Sequence, residues 1–246
     1  MKYTLLASGS KGNSCLIETR ESKILIDCGT TKKYLLSCFN DLGYKLSDLD
    51  ALVLTHSHSD HISQIKHFYE VPMYSPFHVE QAQDVTLVHS HTGFQINDLT
   101  FYPIELSHDS DIVMGYIIFD GYEKLVYITD TGYIKDEDLI HCVDANYIIL
   151  ESNYDPALLL NSHRPYLTKM RIMSDKGHLS NEKCGYYLSQ IVTENTSEIV
   201  LAHMSLEANH PDVALASVRK YLDEINYTKS LKVGLQYQLI RGGQDD

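Results

Sequence analysis

The sequence predicts an α/β fold from three observations. Short apolar runs, such as residues 51 to 54, have the length and composition of buried strands. Longer stretches, such as residues 30 to 43 and 212 to 225, carry apolar side chains at helical spacing. Clusters of strands and helices also recur in the two halves of the chain. No linker or low-complexity tract divides the 246 residues, so we expect residues 1–246 to form a single domain.

Taken in order, the predicted elements alternate between strands and helices. Strands are expected at 3–7, 15–18, 23–26, 51–54, 99–106, 112–119, 124–129, 145–150 and 199–202. Helices are expected at 30–43, where Gly43 ends the pattern, and at 61–70, 156–160, 182–191 and 212–225. Pro72 and Pro76 bound a further short strand and precede a helix. Strand 199–202 is expected to be the last core strand, and residues 242–246 are expected to fray.

Composition and cysteine usage predict a cytoplasmic protein. The five cysteines form no C-x-x-C pair and are odd in number, which is typical of a reducing compartment. The apolar run at residues 3–7 is too short for a signal peptide, and no stretch has the ~18 apolar residues of a membrane span. The net charge is −13, which taken alone disfavours nonspecific binding to nucleic acid.

The densest group of chemically active side chains lies at residues 55 to 61, directly after the strand at 51–54. Three histidines, His56, His58 and His61, share this stretch with Asp60. Imidazole and carboxylate ligands suit zinc, manganese or iron, and the absence of cysteine argues against a closed structural zinc site. The alternative is a solvated polar loop with chance histidines. The density of ligands at a strand end favours a metal site.

Three other segments allow two interpretations each. The small residues at 8 to 14 suit a tight hairpin better than an anion-binding loop. The second H-x-H pair, His89 and His91, is interpreted as surface or hairpin chemistry rather than metal binding, because no Asp-His follows it and it lies between apparent strands. The segment 163–178 is locally basic, which suits a nucleic-acid backbone or an ordinary solvated surface. Its basic residues are Arg164, Lys169, Arg171 and Lys176.

The pattern H-x-H-x-D-H at 56–61 resembles the signature of the metallo-β-lactamase superfamily. The resemblance implies an αβ/βα four-layer sandwich, with two mixed β-sheets flanked by helices, and two divalent metal ions, Zn or Mn, with Fe also accepted. These two ions would offset the acidic net charge locally. By the same resemblance, Asp27 supports the metal loop from behind the ligands, and Asp130 bridges both metals. The remaining ligands are His56, His58 and His108 for the first metal, and Asp60, His61 and His203 for the second.

Five further motifs narrow the resemblance: S-G-S-K-G-N at 8–13, T-D-T-G-Y at 129–133, E-S-N-Y-D at 151–155, G-H-L-S-N at 177–181 and L-A-H-M-S at 201–205. Together they resemble the bacterial WalJ (YycJ) exonuclease group. The implied function is a DNA exonuclease, acting 5′→3′ on duplex DNA through a hydroxide shared by both metals. Asp60 would orient the hydroxide, and His178, held by Glu151, would protonate the leaving oxygen.

Two alternatives to the nuclease remain. One is a small-molecule hydrolase of the same fold, acting on a cyclic phosphodiester, lactone or thioester. The other is a non-catalytic, metal-dependent binding module, which the seven filled ligand positions disfavour. The long Gly/Pro-rich arm of the related tRNA-processing enzyme is missing, which weighs against tRNA processing. The oligomeric state is not predicted.

Overall fold

The computed structural model of the protein describes residues 1–244, which contain two seven-stranded sheets. The strands are β1 (Lys2–Ala7), β2 (Ser14–Glu18), β3 (Lys23–Ile26), β4 (Ala51–Val53), β5 (Met73–Ser75), β6 (Val85–Leu87), β7 (Phe94–Ile96), β8 (Leu99–Glu105), β9 (Met114–Phe119), β10 (Lys124–Ile128), β11 (Tyr147–Glu151), β12 (Glu198–Ala202), β13 (Ser230–Val233) and β14 (Ile240–Gly243). The first sheet has the order β14-β1-β2-β3-β4-β5-β6, and the second β13-β12-β11-β10-β9-β8-β7. Each sheet is mixed. Pairing is antiparallel from β14 to β3 and from β7 to β10, and parallel from β3 to β6 and from β10 to β13.

Seven α-helices connect the strands within residues 1–244. They are α1 (Lys32–Leu42), α2 (Ser59–Ile62), α3 (Asp136–Cys142), α4 (Pro156–Asn161), α5 (Tyr166–Met173), α6 (Asn181–Ile191) and α7 (Pro211–Glu224). Helix α1 begins at Thr31, whose hydroxyl accepts a hydrogen bond from the Tyr34 N–H, and ends at the left-handed Gly43. Within residues 1–244, no helix combines the length and apolar character that crossing a bilayer requires.

Successive side chains along a strand point to opposite faces of the sheet, and both faces of each sheet are covered by apolar side chains. On β10, Leu125 and Tyr127 pack between the two sheets, whereas Val126 and Ile128 face helices α3, α6 and α7. The first sheet places Leu25 and Leu52 against α1 in the same way. Because both faces of each sheet are buried, the strands carry continuous apolar runs. The predicted four-layer αβ/βα sandwich is therefore confirmed.

Several predicted elements differ from the structure. The helix expected at 61–70 is replaced by α2 and a 3₁₀ turn at Ile65–His67, because the Gln64 N–H donates to the Cys28 carbonyl (3.1 Å) instead of continuing the helix. Residues 76–84 contain no helix. Two half-buried strands, β13 and β14, follow strand 199–202, which is the last fully buried strand within residues 1–244.

The predicted frayed tail also needs correction. Residues 242 and 243 pair with β1, and a Cβ at Gly242 would lie 2.2 Å from the Tyr3 ring, so the glycine permits this packing. Asp245 and Asp246 lie outside the described residues. The five cysteines are buried and form no disulfides.

Candidate metal centre

The predicted site residues meet where strands of both sheets end. Asp27 directly follows β3, and the histidine-rich stretch follows β4 in the same sheet. In the second sheet, Asp130 and His203 lie just beyond β10 and β12. Asp27, Asp130 and His203 have left-handed backbones, with φ of 57°, 58° and 52°. Such backbones are uncommon outside glycine and concentrate at functional sites, where they turn the chain sharply.

The seven predicted ligands form a compact cluster. His56, His58 and His108 offer nitrogen atoms within 4.8 Å of one another, and so do the carboxylate and imidazoles of Asp60, His61 and His203. Asp130 lies between the two groups. Its Oδ2 is 2.9 Å from His61 Nε2, and its Oδ1 is 3.7 Å from His108 Nε2 and 3.4 Å from His203 Nε2.

Hydrogen bonds at Nδ1 turn the Nε2 atoms of the histidines inward. His56 Nδ1 lies 3.0 Å from Thr55 Oγ1, and His108 Nδ1–H donates to the Gly177 carbonyl (2.9 Å). The Nε2 atoms of His56 and His203 are buried without a hydrogen-bond partner. Buried, unpartnered nitrogen is costly unless a ligand satisfies it, and metal-binding histidines typically anchor their other nitrogen in this way. The donor set therefore fits divalent metal ions.

Asp27 connects the first sheet to this cluster from behind. Its Oδ1 accepts from the Thr55 N–H (2.8 Å), while its Oδ2 accepts from Thr55 Oγ1 (2.8 Å) and lies 2.7 Å from His61 Nδ1. Asp27 is fully buried. It thus lies behind His61, where the sequence analysis expected it, and its supporting role stays a prediction; Thr55 is a further residue at this place that the sequence analysis did not single out.

The electrostatics of the cluster are dominated by carboxylates close to imidazoles. Burial lowers the pKa of His61, but the carboxylates of Asp27 and Asp130 outweigh it and raise that pKa to about 10. Burial raises the pKa of Asp130, but His203 and His61 hold it well below its usual value. Burial and the neighbouring His61 lower the pKa of His56, and the Asp130 carboxylate offsets this only in part. The carboxylate of Asp130 therefore stays negatively charged at the centre of the cluster, and this charge favours the binding of cations there.

Glu151, the last residue of β11, joins two histidines. Its Oε1 is 2.7 Å from His178 Nδ1 and 3.1 Å from His203 Nδ1, and its Oε2 accepts from the Thr131 N–H (2.8 Å). Burial raises the pKa of Glu151, but His178 and His203 lower it more, so the side chain is a carboxylate. His178 Nδ1 also lies 3.5 Å from Asp130 Oδ1. The structure thus brings the predicted acid pair beside the ligand cluster.

The glycine-containing loop at 8 to 13 also reaches the cluster. It closes the hairpin between β1 and β2, as predicted, but Asn13 Nδ2 lies 2.9 Å from His61 Nε2 and 3.4 Å from Asp60 Oδ2. Gln236 holds this loop by accepting from the Lys11 N–H and donating to the Gly12 carbonyl, both at 2.8 Å. The motif at 8–13 was noticed in the sequence, but the role of Asn13 was missed. Gln236 lies too far along the chain to be connected by pattern.

Close backbone packing fixes the same loop against α2. The Asn13 N–H donates to the Asp60 carbonyl (2.8 Å), and the Cys28 N–H donates to the His61 carbonyl (2.8 Å). A Cβ at Gly29 would lie 1.8 Å from the Asp60 carbonyl oxygen. Only glycine fits there, so Gly29 sets the position of two predicted ligands.

Three of the four predicted nucleic-acid-binding residues have partners within the protein. Arg164 pairs with Glu207 (3.1 Å), Lys169 Nζ donates to the Leu160 carbonyl (2.7 Å), and Arg171 pairs with Asp109. Lys176 is exposed. These three side chains are therefore less available to bind a ligand than the sequence alone suggests.

Asp109 is a rim residue that the sequence analysis did not select. Its Oδ1 lies 3.1 Å from His108 Nε2 and 3.8 Å from His58 Nε2. Burial raises the pKa of this carboxyl, but the neighbouring His108 and Arg171 lower it by more, so the pKa lies below its usual value. Asp109 therefore connects the predicted first metal group to α5.

The second H-x-H pair lies in the turn between β6 and β7. His91 Nε2 is 2.7 Å from Asp138 Oδ1, a buried carboxylate of α3. Neither His89 nor His91 belongs to the ligand groups that residues 1–244 form. The position of this pair in a turn agrees with its interpretation as surface or hairpin chemistry.

Comparison with known proteins gives consistent matches. A family model described as "Beta-lactamase superfamily domain" matches residues 22–204. The exodeoxyribonuclease YycJ of Bacillus anthracis is 32% identical over 252 residues, covering 97% of this chain and 94% of that protein. The exodeoxyribonuclease WalJ of Streptococcus pneumoniae serotype 2 is 31% identical over 253 residues, covering 97% and 93%.

A solved structure supports the same fold. The crystal structure of the metallo-β-lactamase fold protein YhfI from Bacillus subtilis superposes with a TM-score of 0.73 at 17% identity, covering 98% of this chain and 99% of that one. The chain therefore belongs to the metallo-β-lactamase superfamily of metal-dependent hydrolases, and within that superfamily it is a WalJ/YycJ-type protein.

Proposed function

We propose that this protein is a metal-dependent phosphodiesterase whose substrate is DNA, and that it acts as an exonuclease in the 5′→3′ direction on duplex ends. The observation that carries the proposal is the His178–Glu151 pair beside the ligand cluster. A phosphodiester releases an alkoxide, which needs a proton, whereas a thioester releases a thiol whose pKa of about 8.5 lets it leave as the anion. The acid pair therefore favours the nuclease over a thioesterase. The likeness to two proteins named exodeoxyribonucleases supports DNA as the substrate.

In this proposal, residues 1–246 act as one domain that holds two divalent ions, Zn or Mn. His56, His58 and His108 would hold one ion and Asp60, His61 and His203 the other, with the Asp130 carboxylate lying between the two groups. When bound, such ions lower the pKa of water and polarise a phosphate oxygen. Anchored Nδ1 atoms and unpartnered Nε2 atoms support the histidine assignments.

The residues around the ions have separate tasks. Because Glu151 accepts the Nδ1–H of His178, the opposite nitrogen, Nε2, is available to give a proton to the leaving oxygen. The Glu151 carboxylate stabilises the cationic imidazole before transfer, as a carboxylate orients histidine in other acid–base pairs. Asp60, which is partly exposed, orients the attacking water in addition to its ligand role.

The basic segment is proposed to hold the DNA backbone. Arg164, Lys169, Arg171 and Lys176 lie just before His178 in the chain. Lys169→Glu and Arg171→Glu should weaken DNA binding and reduce its dependence on salt, because fewer counterions are released. Lys220→Glu on α7 is the matched control. If both variants bind DNA with wild-type affinity and wild-type salt dependence, the segment does not hold the DNA backbone.

The experiment that tests the function is a nuclease assay on end-labelled duplex DNA. Metal-stripped protein is reloaded in turn with Mn²⁺, Zn²⁺ and Mg²⁺, alongside His58→Ala as the inactive control. Mononucleotides released by the loaded protein and absent with His58→Ala support the proposal, and comparison of the two labelled ends gives the direction. Intact DNA under every metal, together with hydrolysis of a cyclic phosphodiester or lactone, would favour the small-molecule hydrolase.

A further inference from the structure

The loop at 8–13, between β1 and β2, is held in one conformation from several directions. The Gly12 N–H donates to the Gly9 carbonyl (3.0 Å), and a Cβ at Gly12 would lie 2.0 Å from the Thr30 nitrogen. Gln236, between β13 and β14, accepts from the Lys11 N–H and donates to the Gly12 carbonyl. The loop therefore brings its last residue, at position 13, to a fixed place.

The side-chain amide of Asn13 has one orientation that satisfies its neighbours. Asn13 is buried, and its Oδ1 accepts the Gly9 N–H (2.8 Å). Turning the amide over would set its NH₂ group against that N–H, and two donors cannot bond to each other. The NH₂ group therefore faces the candidate metal centre, where it can only donate.

The NH₂ group of Asn13 contacts the second ligand group, formed by Asp60, His61 and His203. Nδ2 lies 2.9 Å from His61 Nε2 and 3.4 Å from Asp60 Oδ2, and these two atoms are its hydrogen-bond partners within residues 1–244. The Asn13 backbone N–H also donates to the Asp60 carbonyl (2.8 Å). Asn13 therefore holds Asp60 through the main chain and reaches its carboxylate as well.

A metal ion at His61 Nε2 changes the acceptors that are open to Asn13. The ion uses the lone pair of Nε2, so this nitrogen can no longer accept a hydrogen bond. A buried N–H without an acceptor is costly, and Asp60 Oδ2 is the acceptor that remains. The same Oδ2 faces the ligand nitrogens, 3.8 Å from His61 Nε2 and 3.6 Å from His203 Nε2. Because a carboxylate oxygen has two lone pairs, Oδ2 can take both the amide and the ion.

We infer that Asn13 is a positioning residue for the second ion, which fixes Asp60 Oδ2 as a ligand and does not serve the first ion. The inference rests on the two-ion site of the proposed function and deepens it. The Asp60 side chain is 24% exposed, whereas those of His61 and His203 are 0% and 2% exposed. Asp60 is therefore the ligand of this group with the most room to turn away, and it gains most from a hydrogen bond that holds it.

Zn²⁺ binding by proteins with one ligand group intact tests this selectivity. His58→Ala leaves the second group intact and His203→Ala leaves the first, so isothermal titration of each metal-stripped protein follows one site. Adding Asn13→Ala should weaken Zn²⁺ binding by about 10- to 100-fold in the His58→Ala protein and leave it unchanged in the His203→Ala protein. Asn146→Ala is the matched control, because Asn146 also accepts a backbone N–H, that of Lys124 (2.9 Å), but lies before β11, at the strand end away from the site.

Nuclear magnetic resonance observes the Asn13 amide directly. Its side-chain signal, assigned by its loss in Asn13→Ala, should shift when Zn²⁺ loads the wild type, because the amide exchanges His61 Nε2 for Asp60 Oδ2 as its acceptor. The signal should also shift when Zn²⁺ loads the His58→Ala protein, and it should stay in place in the His203→Ala protein. A signal that does not respond to Zn²⁺ in the wild type overturns the inference.

The outcomes separate this inference from the proposed function. If the wild type binds two ions and degrades DNA, but Asn13→Ala lowers Zn²⁺ affinity equally in both single-group proteins or in neither, the inference is refuted and the nuclease stands. If the wild type binds fewer than two ions, the two-ion site and the inference are both refuted. If it binds two ions without degrading DNA, the nuclease alone is refuted, because the Zn²⁺ titrations still decide the role of Asn13.

Discussion

Replacing Asp27 with asparagine tests how one proton controls the metal centre. Asp27 Oδ1 accepts from the Thr55 N–H, so the asparagine oxygen must keep that position, and its NH₂ group must then face His61 Nδ1. In the wild type Asp27 holds the Nδ1 proton, so metal binding removes the Nε2 proton; in the variant Nδ1 accepts, and the one proton of the neutral imidazole stays at Nε2. A protonated Nε2 cannot bind a metal. The φ of 57° at this position is tolerated by asparagine, so the backbone is not strained.

The size of the effect follows from the bonds that change. Loss of the charge-assisted contact of 2.7 Å between Asp27 and His61 should lower the free energy of unfolding by about 1.5–3 kcal/mol. Metal affinity should fall by about 10- to 100-fold, the usual effect of losing such a supporting carboxylate. Isothermal titration of metal-stripped protein with Zn²⁺ measures the affinity, and urea unfolding in chelator measures the stability.

The matched control is Asp138→Asn. Asp138 is also a buried carboxylate with a histidine partner, but that partner is His91 on the β6–β7 turn. This variant should lose stability and keep its metal affinity. Wild-type affinity in Asp27→Asn, or an equal loss in both variants, would refute the reasoning about the His61 proton.

Four further predictions follow from the site and the fold. His178→Ala should lower kcat by about 10²–10⁴-fold with unchanged metal content, and normal turnover would exclude His178 as the acid. Gly29→Ala should weaken metal binding, because its Cβ would lie 1.8 Å from the Asp60 carbonyl oxygen, whereas Gly93→Ala, with a nearest contact of 3.5 Å, should not. Chelation should abolish hydrolysis and lower Tm, and added Mn²⁺ or Zn²⁺ should restore both; a Tm independent of metal would contradict the assigned site. Burial raises the pKa of Asp120, but two backbone N–H groups lower it more, so the pKa lies below its usual value. The ionised carboxylate therefore stabilises the fold above about pH 4, and this stabilisation is lost as the pH falls through the lowered pKa. The Tm difference between wild type and Asp120→Asn should therefore be present at pH 7 and close in acid.

Local patterns predicted the buried strands, whereas the family resemblance supplied the four layers and the candidate ligands. Buried strands such as β10 and β11 are continuous apolar runs, and each predicted ligand follows such a run or lies in the dense motif at 56–61. These signals are short range. Ligands that come from strand ends meet because parallel strands end at one edge of a sheet.

The parts that sequence did not predict depend on distant contacts. Strand β13 is half-buried along its length, so it lacks an apolar run, and β14 contains two glycines that resemble a flexible tail. Helix α5 has few buried residues, and its ends are held by pairs with Asp109 and Glu207. Asn13 and Gln236 act through residues that are tens to hundreds of positions away, which no local pattern records.

The two hydrogen bonds of Gln236 relate the site to the order in which the chain is synthesised. Every proposed ligand has been translated once His203 leaves the ribosome, but the loop that carries Asn13 is still without Gln236, and β1 is without β14. A nascent chain therefore contains all the ligand residues before it contains Gln236 and β14, which hold the Asn13 loop and β1 in place. For a protein proposed to degrade DNA, this order delays the finished active site until Gln236 and β14 have been added.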